Sequence, residues 1–464
     1  LGMRCGIFFA GYRNRFHDRK INPQVIVPPK THRTMHQNGV ADDAPTLGLA
    51  CAGGVVEGAI YEVGALCALD EAIDGADLHA LDMYVGVSSG ALIGSLLANG
   101  IPVDMLRQAV VAESTDPTLN LKPERLFAPA FTDYARRLQR IPGTLVSTMA
   151  HYARNPGDLS LLGILSTFGS LLPPGFFTNA TLEAFLRTAF SQPGRTNDFR
   201  TLRPMLRVVA MHLDSADVTV FGEPGYDHVP ISKAIQASTA LPVLYGPVEI
   251  DGQMYIDGVA RRTVHASVAL DAGADLLFCI NPIVPVNMQM EQHARRLFAP
   301  RNRSLADHGL PAVLSQTFRA IVDSRKRTGF KKYAHTHPDA DLLLIEPDVT
   351  DTSLFFSNIF SFQNRHDVCE HAYQATRQYL RHNLDTSAPM LRRHGLSLRT
   401  RVLRDRSRTL YDAADNARLR ERIGAAEAPS TSEVLAHTDV VLNRLDGVLN
   451  RLERKAESRT VALS

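Results

Sequence analysis

The feature that most constrains this chain is one arrangement met twice in quick succession: a short apolar run, a cluster of glycines, then a helical pattern. Thr46-Leu47-Gly48-Leu49-Ala50-Cys51 has the length and composition of a buried strand. Gly53-Gly54 follows it, and a helix-like pattern runs on to about Ile73. Leu81 to Val87 is the second strand, Gly86-Val87-Ser88-Ser89-Gly90 the turn, and residues 89–98 the helix. Strand, glycine turn, helix and strand again is the order of an α/β fold whose strands pair in parallel through helical crossovers.

The rest of the chain adds to this sheet. From Pro102 to Pro204 the texture is mainly helical, and Leu159 to Phe177 is its most apolar stretch. That stretch reads as a core helix ending at Pro173-Pro174, with a lid touching a lipid interface as the alternative. Strand signals return at Met205, where two apolar runs flank Asp214-Ser215-Ala216-Asp217 as a hairpin. Val248-Glu249-Ile250 and Gln253-Met254-Tyr255-Ile256 form a second hairpin about Asp251-Gly252, while Leu276 to Asn281 and Leu342 to Ile345 read as core strands. Residues 1–45 are an irregular basic extension and 46–382 the α/β domain. Residues 383–464 are an arginine-rich helical extension with no strand candidate.

Charge and cysteine usage narrow the class. A net charge of +2 implies no bulk electrostatic binding to nucleic acid. No apolar run is long enough for a transmembrane helix, and Ile7-Phe8-Phe9-Ala10 is too short for a signal-peptide core. The five cysteines are an odd number, and three lie in apolar runs. They read as buried hydrophobes of a cytoplasmic protein, not a disulfide or zinc framework.

Three positions carry candidate chemistry. Ser88 stands at the centre of a G-x-S-x-G turn between a strand and a helix, where a nucleophile's hydroxyl is pushed clear of the backbone. A serine capping the helix satisfies the same residue types, and Ser89 could cap equally well. Gly53-Gly54-Val55-Val56-Glu57-Gly58 would aim its amides into one small space, as an oxyanion hole requires. A phosphate loop is the rival reading, but it lacks the Lys-Ser/Thr of a P-loop and the full dinucleotide fingerprint. A purely structural turn is the third. Asp251-Gly252 sits where a hairpin turns, whereas Asp257-Gly258 ends a strand, where catalytic groups of α/β sheets collect. Asp257 is therefore the better candidate base.

Glycine turn, G-x-S-x-G about thirty residues on, and a late strand-end Asp-Gly together resemble the patatin-like phospholipases. Gly64-Ala65-Leu66 with Ala68-Leu69 is similar to the family's first helix. Ala237-Ser238-Thr239-Ala240-Leu241-Pro242 is similar to its small-residue stretch ahead of the catalytic aspartate. The resemblance covers roughly Thr46 to His382 and implies a three-layer sandwich. It also implies a Ser–Asp dyad without histidine: Ser88 as nucleophile, Asp257 as its activator, and the amides of Gly53, Gly54 and Val55 as the oxyanion hole. Gly58, Gly86, Gly90 and Gly258 are the accompanying motif glycines. The implied reaction is hydrolysis of a phospholipid or lysophospholipid ester through an acyl-enzyme, with no metal or cofactor and with contact to a lipid surface.

Two residues depart from the family pattern. Val55 replaces the third glycine and resists positive φ, and Glu57 replaces a basic residue and would repel an anionic headgroup. They leave room for a non-catalytic lipid-binding or scaffolding protein. A Ser-His-Asp esterase or acyltransferase is the other alternative, since His265, His293, His308, His335, His337, His366 and His371 all follow Asp257. Near the end of the chain, Ser430-Thr431-Ser432-Glu433 has capping-box spacing. Leu435, Thr438, Leu442, Leu445, Leu449 and Leu452 continue as an apolar seam, which either packs back on the domain or makes a homo-oligomer.

Overall fold

The computed structural model describes residues 44–111, 119, 128–129, 174–261, 264–288, 304–351 and 364–410. The basic N-terminal extension, nearly all of Leu159–Phe177 and the heptad-like tail lie outside the described residues.

Eight strands make the main sheet: β1 (Leu47–Cys51), β2 (Met83–Val87), β3 (Met205–His212), β4 (Val218–Phe221), β5 (Val248–Ile250), β6 (Gln253–Asp257), β7 (Leu276–Ile280) and β8 (Asp341–Ile345). Five of them run parallel in the order β8-β7-β1-β2-β3. β4 and the β5–β6 hairpin join β3 antiparallel. The helices that matter here are α1 (Val55–Ala72), α2 (Ser89–Ala98), α3 (Ala180–Phe190), α4 (Ile231–Ser238), α5 (Ala266–Asp271), α6 (Gly309–Thr336) and α7 (Arg365–His382).

Successive side chains of a strand point to opposite faces, and the core divides accordingly. Leu49, Cys51, Tyr84, Val208, Phe278 and Leu343 face one apolar cluster with α1, α2, α3, α4 and α7. Ala50, Met83, Val85, Val209, Leu277 and Leu342 face another with α5 and the end of α6. The result is a mixed α/β sandwich of three layers, helices covering both faces of a mostly parallel sheet.

Two local readings change. Gly175–Thr178, just past the prolines at which the expected helix ends, is a strand paired in parallel with Val243–Tyr245, where no strand was expected. Proline removes the backbone donor that a helix would need through Pro173-Pro174, and the chain leaves extended. Beyond His382, Ser397–Leu398 forms a two-residue strand with Ile73–Asp74, where no strand was expected. Met390, Leu391, Leu403 and Leu410 are buried in the same cluster as α1.

Candidate active site

Ser88 links β2 to α2 with φ 55° and ψ −124°, a left-handed conformation that costs an L-residue about 1–2 kcal/mol. Such strain persists where the surroundings hold it. Here the Ser88 N–H donates to Ser238 Oγ at 2.8 Å, and Ser238 Oγ donates to the Val209 carbonyl at 2.6 Å. At Gly90 a Cβ would lie 2.3 Å from the Cys51 carbonyl oxygen, so only glycine lets α2 start so close to β1. The Ser88 side chain makes no capping bond to α2, so helix capping does not account for it.

Asp257 reaches Ser88 by a feature of strand layout. β4 occupies one edge of β3 from Val208 to Met211. β2 pairs with β3 as far as Val209, and β6 pairs with it from Ala210 to His212, so both must use the other edge. Val87 opposes Val209 and Asp257 opposes Ala210. The two strands run toward each other along that edge, and their C-terminal ends meet where Ser88 leaves the sheet.

The Asp257 side chain is fully buried. Its backbone N–H donates to the Ala240 carbonyl at 3.0 Å, and Oδ1 accepts from the Val259 N–H at 2.9 Å. Oδ2 has no hydrogen-bond partner. Burial pushes the carboxyl up to about 7, against the lowering influence first of the Ser88 hydroxyl and then of the Val259 amide. The Ser88 hydroxyl thus favours the ionised form of this carboxyl.

The glycine turn lies directly against this pair. A Cβ on Gly53 would fall 2.8 Å from Ser88 Cβ and 3.5 Å from its Oγ. Among the described residues, the N–H groups of Gly53, Gly54 and Val55 donate to no other group, as expected where a helix begins. Val55 has φ 58°, the region its β-branched side chain resists. Glu57, one turn into α1 beside Gly58, is buried. The guanidinium of Arg319, brought by α6 and held to the Val284 carbonyl at 3.2 Å, faces it electrostatically. The repulsive charge expected at Glu57 is thus met by a cation from a segment distant in sequence.

Other candidates lie elsewhere. Asp251 and Gly252 take φ 53° and 75°, the type I′ conformation of a two-residue hairpin, and the Asp251 carboxylate bonds His228 at 2.9 Å. Among the described histidines, His337 pairs with Asp271, His371 with Asp351 and His212 with Gln253; none bonds to Ser88 or Asp257. His293 lies outside the described residues. Ser238 was quoted in the sequence without a role, and Arg319 carried no sequence signal at all.

An apolar cavity of about 100 Å³ opens on Ser88. Val56, Ile60, Leu92, Phe185, Leu241 and Leu244 contribute its wall. No group of three or more metal-ligating side chains occurs among the described residues. No described helix is long and apolar enough to cross a membrane.

A positive-φ serine at a strand end and an aliphatic cavity at its hydroxyl come together in an α/β fold with a mostly parallel sheet between helix layers. The family model described as Patatin-like phospholipase matches residues 49–270 of this chain. Among solved structures it is similar to VipD from Legionella pneumophila at 15% identity and a TM-score of 0.32, covering 73% of this chain and 67% of VipD. It is also similar to the type III effector protein ExoU of Pseudomonas aeruginosa, at 14% identity and a TM-score of 0.31, covering 73% of this chain and 53% of ExoU. Human GIVD cytosolic phospholipase A2, solved with methyl gamma-linolenyl fluorophosphonate, matches at 12% identity and a TM-score of 0.27, covering 75% of this chain and 61% of that one.

Proposed function

We propose that this protein is a lipid acyl hydrolase that cleaves carboxylic esters of phospholipids or lysophospholipids through Ser88 and Asp257. The match to the Patatin-like phospholipase family model over residues 49–270 supports lipid hydrolysis in general. The observation that carries the specific reading is the buried Asp257 carboxyl, with one oxygen unpartnered, at the hydroxyl of a strained serine. Ionised Asp257 accepts the proton as Ser88 Oγ bonds to the ester carbonyl carbon. The carbonyl π electrons pass to oxygen, and the amides of Gly53, Gly54 and Val55 receive that charge. When the intermediate collapses, the carbon–oxygen bond to the alcohol breaks and the alcohol takes the proton from Asp257. Water then repeats the sequence on the acyl-serine and restores both groups. The acyl chain occupies the apolar cavity, whose walls reward aliphatic surface with about 25 cal/mol per Å².

The buried free thiols of Cys51, Cys67, Cys279 and Cys369 fit a reducing compartment, and the protein is read as cytoplasmic. A fluorophosphonate probe tests the chemistry. Full-length protein should label stoichiometrically, and Ser88→Ala should not label. A folded, unlabelled wild type would mean a lipid binder instead. A histidine variant as inert as Ser88→Ala would put a triad in place of the dyad.

A further inference from the structure

We infer that the outer face of α6, with the small strand pair Gly175–Thr178 and Val243–Tyr245, forms a docking surface for an anionic lipid bilayer. The inference rests on the lipid-ester reading of the site and adds where the substrate's surface meets the protein.

The position of α6 is fixed by its inner face. Gln316 bonds the Val286 backbone through both its amide nitrogen and its carbonyl oxygen, and Arg319 bonds the Val284 carbonyl. Arg325 bonds the Ala260 carbonyl at 3.1 Å, and Lys326 pairs with Glu346. Val284 and Val286 follow the end of β7, Glu346 follows β8, and Ala260 lies three residues past Asp257. α6 therefore lies across the C-terminal ends of the strands, on the same rim as Ser88.

Its outer face is not what a solvated helix presents. Leu310, Val313, Leu314, Phe318 and Ile321 fall at i, i+3, i+4, i+8 and i+11, one continuous stripe. All five are exposed, Leu310 by 69%, Leu314 by 59% and Ile321 by 51%. Single exposed leucines are ordinary, whereas a contiguous stripe marks a binding surface. Past Ile321 the same helix turns basic: Arg325, Lys331 and Lys332 are exposed, while its single carboxylate, Asp323, is buried and pairs with Lys326 and with the exposed Arg327. Apolar side chains beside the exposed cations Arg325, Lys331 and Lys332 match the acyl boundary and phosphates of an anionic bilayer.

A second element on the rim has the same character. Phe176 is 55% exposed and Val243 69%, while Leu244 and Tyr245 of the same strand line the cavity at Ser88. Large apolar side chains are thus exposed both on α6 and on the strand whose next residues line the cavity at Ser88. A second protein copy or a segment of this chain would cover the stripe without using the cations. A bilayer uses both.

The test uses full-length protein carrying Ser88→Ala, so that binding is read without turnover. Vesicles of phosphatidylcholine and phosphatidylglycerol in equal parts should sediment with it at low salt, and pure phosphatidylcholine vesicles should do so more weakly. Adding Leu314→Asp and Ile321→Asp should weaken partitioning by at least ~10-fold, and Lys331→Gln with Lys332→Gln by about fivefold per lysine. In the active background, Leu314→Asp with Ile321→Asp should keep the wild-type rate on a short soluble ester and lose it on vesicle-borne lipid. Equal sedimentation of wild type and variants would overturn the proposal. So would failure of the Ser88→Ala protein with an intact stripe to bind vesicles, including the case in which the stripe substitutions shift only the oligomeric state by sedimentation velocity. Vesicle binding that follows the stripe in a protein that cleaves no ester would instead defeat the hydrolase reading and leave the surface standing.

Discussion

Two residues of the site share a backbone conformation and differ in almost everything that supports it. Ser88 and Val55 follow neighbouring parallel strands, and both have φ near +55°, at 55° and 58°. Around Ser88 every contact agrees with the strain: Gly90 admits the close approach of β1, and Ser238 holds the amide from the side. Val55 has no such side-chain tether on its amide. It is held by the start of α1 and by apolar contact with the core, and its β-branched side chain is the least suited to that φ. A strained residue that its surroundings over-determine marks chemistry. One held chiefly by its own helix marks a substitution tolerated because an amide needs no particular side chain.

The sharpest way to break this comparison is at the chemistry. Ser88→Ala and Asp257→Asn should each lower ester hydrolysis by roughly 10³-fold or more, because groups acting as a unit fail together. Asp251→Asn, in an exposed turn, should retain nearly all activity in the same assay. Equal losses at Asp251 and Asp257 would remove Asp257 from the reaction.

Next in size is Ser238. Ser238→Ala leaves the Ser88 N–H and the Val209 carbonyl without their shared partner. We expect kcat to fall roughly 10- to 100-fold with KM little changed, since a displaced nucleophile loses reactivity before it loses substrate. Ser238→Thr keeps the hydroxyl and should recover most of that loss. A loss confined to thermal stability would make Ser238 structural only.

The pH profile follows from Asp257, whose carboxyl burial raises to about 7. The base must be ionised, so kcat/KM should rise with pH up to about 7 and level off above it. Stability runs the other way. Between about pH 4 and 7 the unfolded carboxyl has lost its proton while the folded one keeps it, so stability falls as pH rises across that window. Asp257→Asn should therefore be more stable than wild type at pH 8 and about equal to it at pH 4, by thermal denaturation. The same stability difference at both pH values would break the assignment.

The smallest effect belongs to Val55. Val55→Gly exchanges strain for unfolded-state entropy and should change stability by less than about 1 kcal/mol. The same change at Val56, a buried helical residue on the cavity wall, should cost about 2–3 kcal/mol. Chemical denaturation of the two variants measures both.

Much of the frame was legible because it is local. Helix 89–98 and the strands ending at Cys51 and Val87 coincide with the observed elements, since apolar runs bounded by glycine report burial directly. The contrast between Asp251 and Asp257 was legible for the same reason, turn chemistry being encoded in neighbouring residues. What escaped was contact between distant segments. Ser238 reaches Ser88 across 150 residues, and Arg319 meets Glu57 from a helix whose own periodicity names only its inner and outer faces. The strand at Gly175–Thr178 was hidden because pairing partners leave no mark on either strand's sequence.

If Ser88 and Asp257 act together as proposed, the head-on meeting of β2 and β6 along one edge of β3 also governs when the protein becomes reactive. During synthesis the serine and its glycine turn emerge long before the segment that ends in Asp257, so the early chain carries a nucleophile with no base. Reactivity arrives only when the late hairpin docks, and in a single register. A slip of one residue along β3 would turn the Asp257 side chain to the opposite face of the sheet. On the proposed dyad, correct pairing of β6 with β3 over three residue pairs thus decides whether nucleophile and base meet at all.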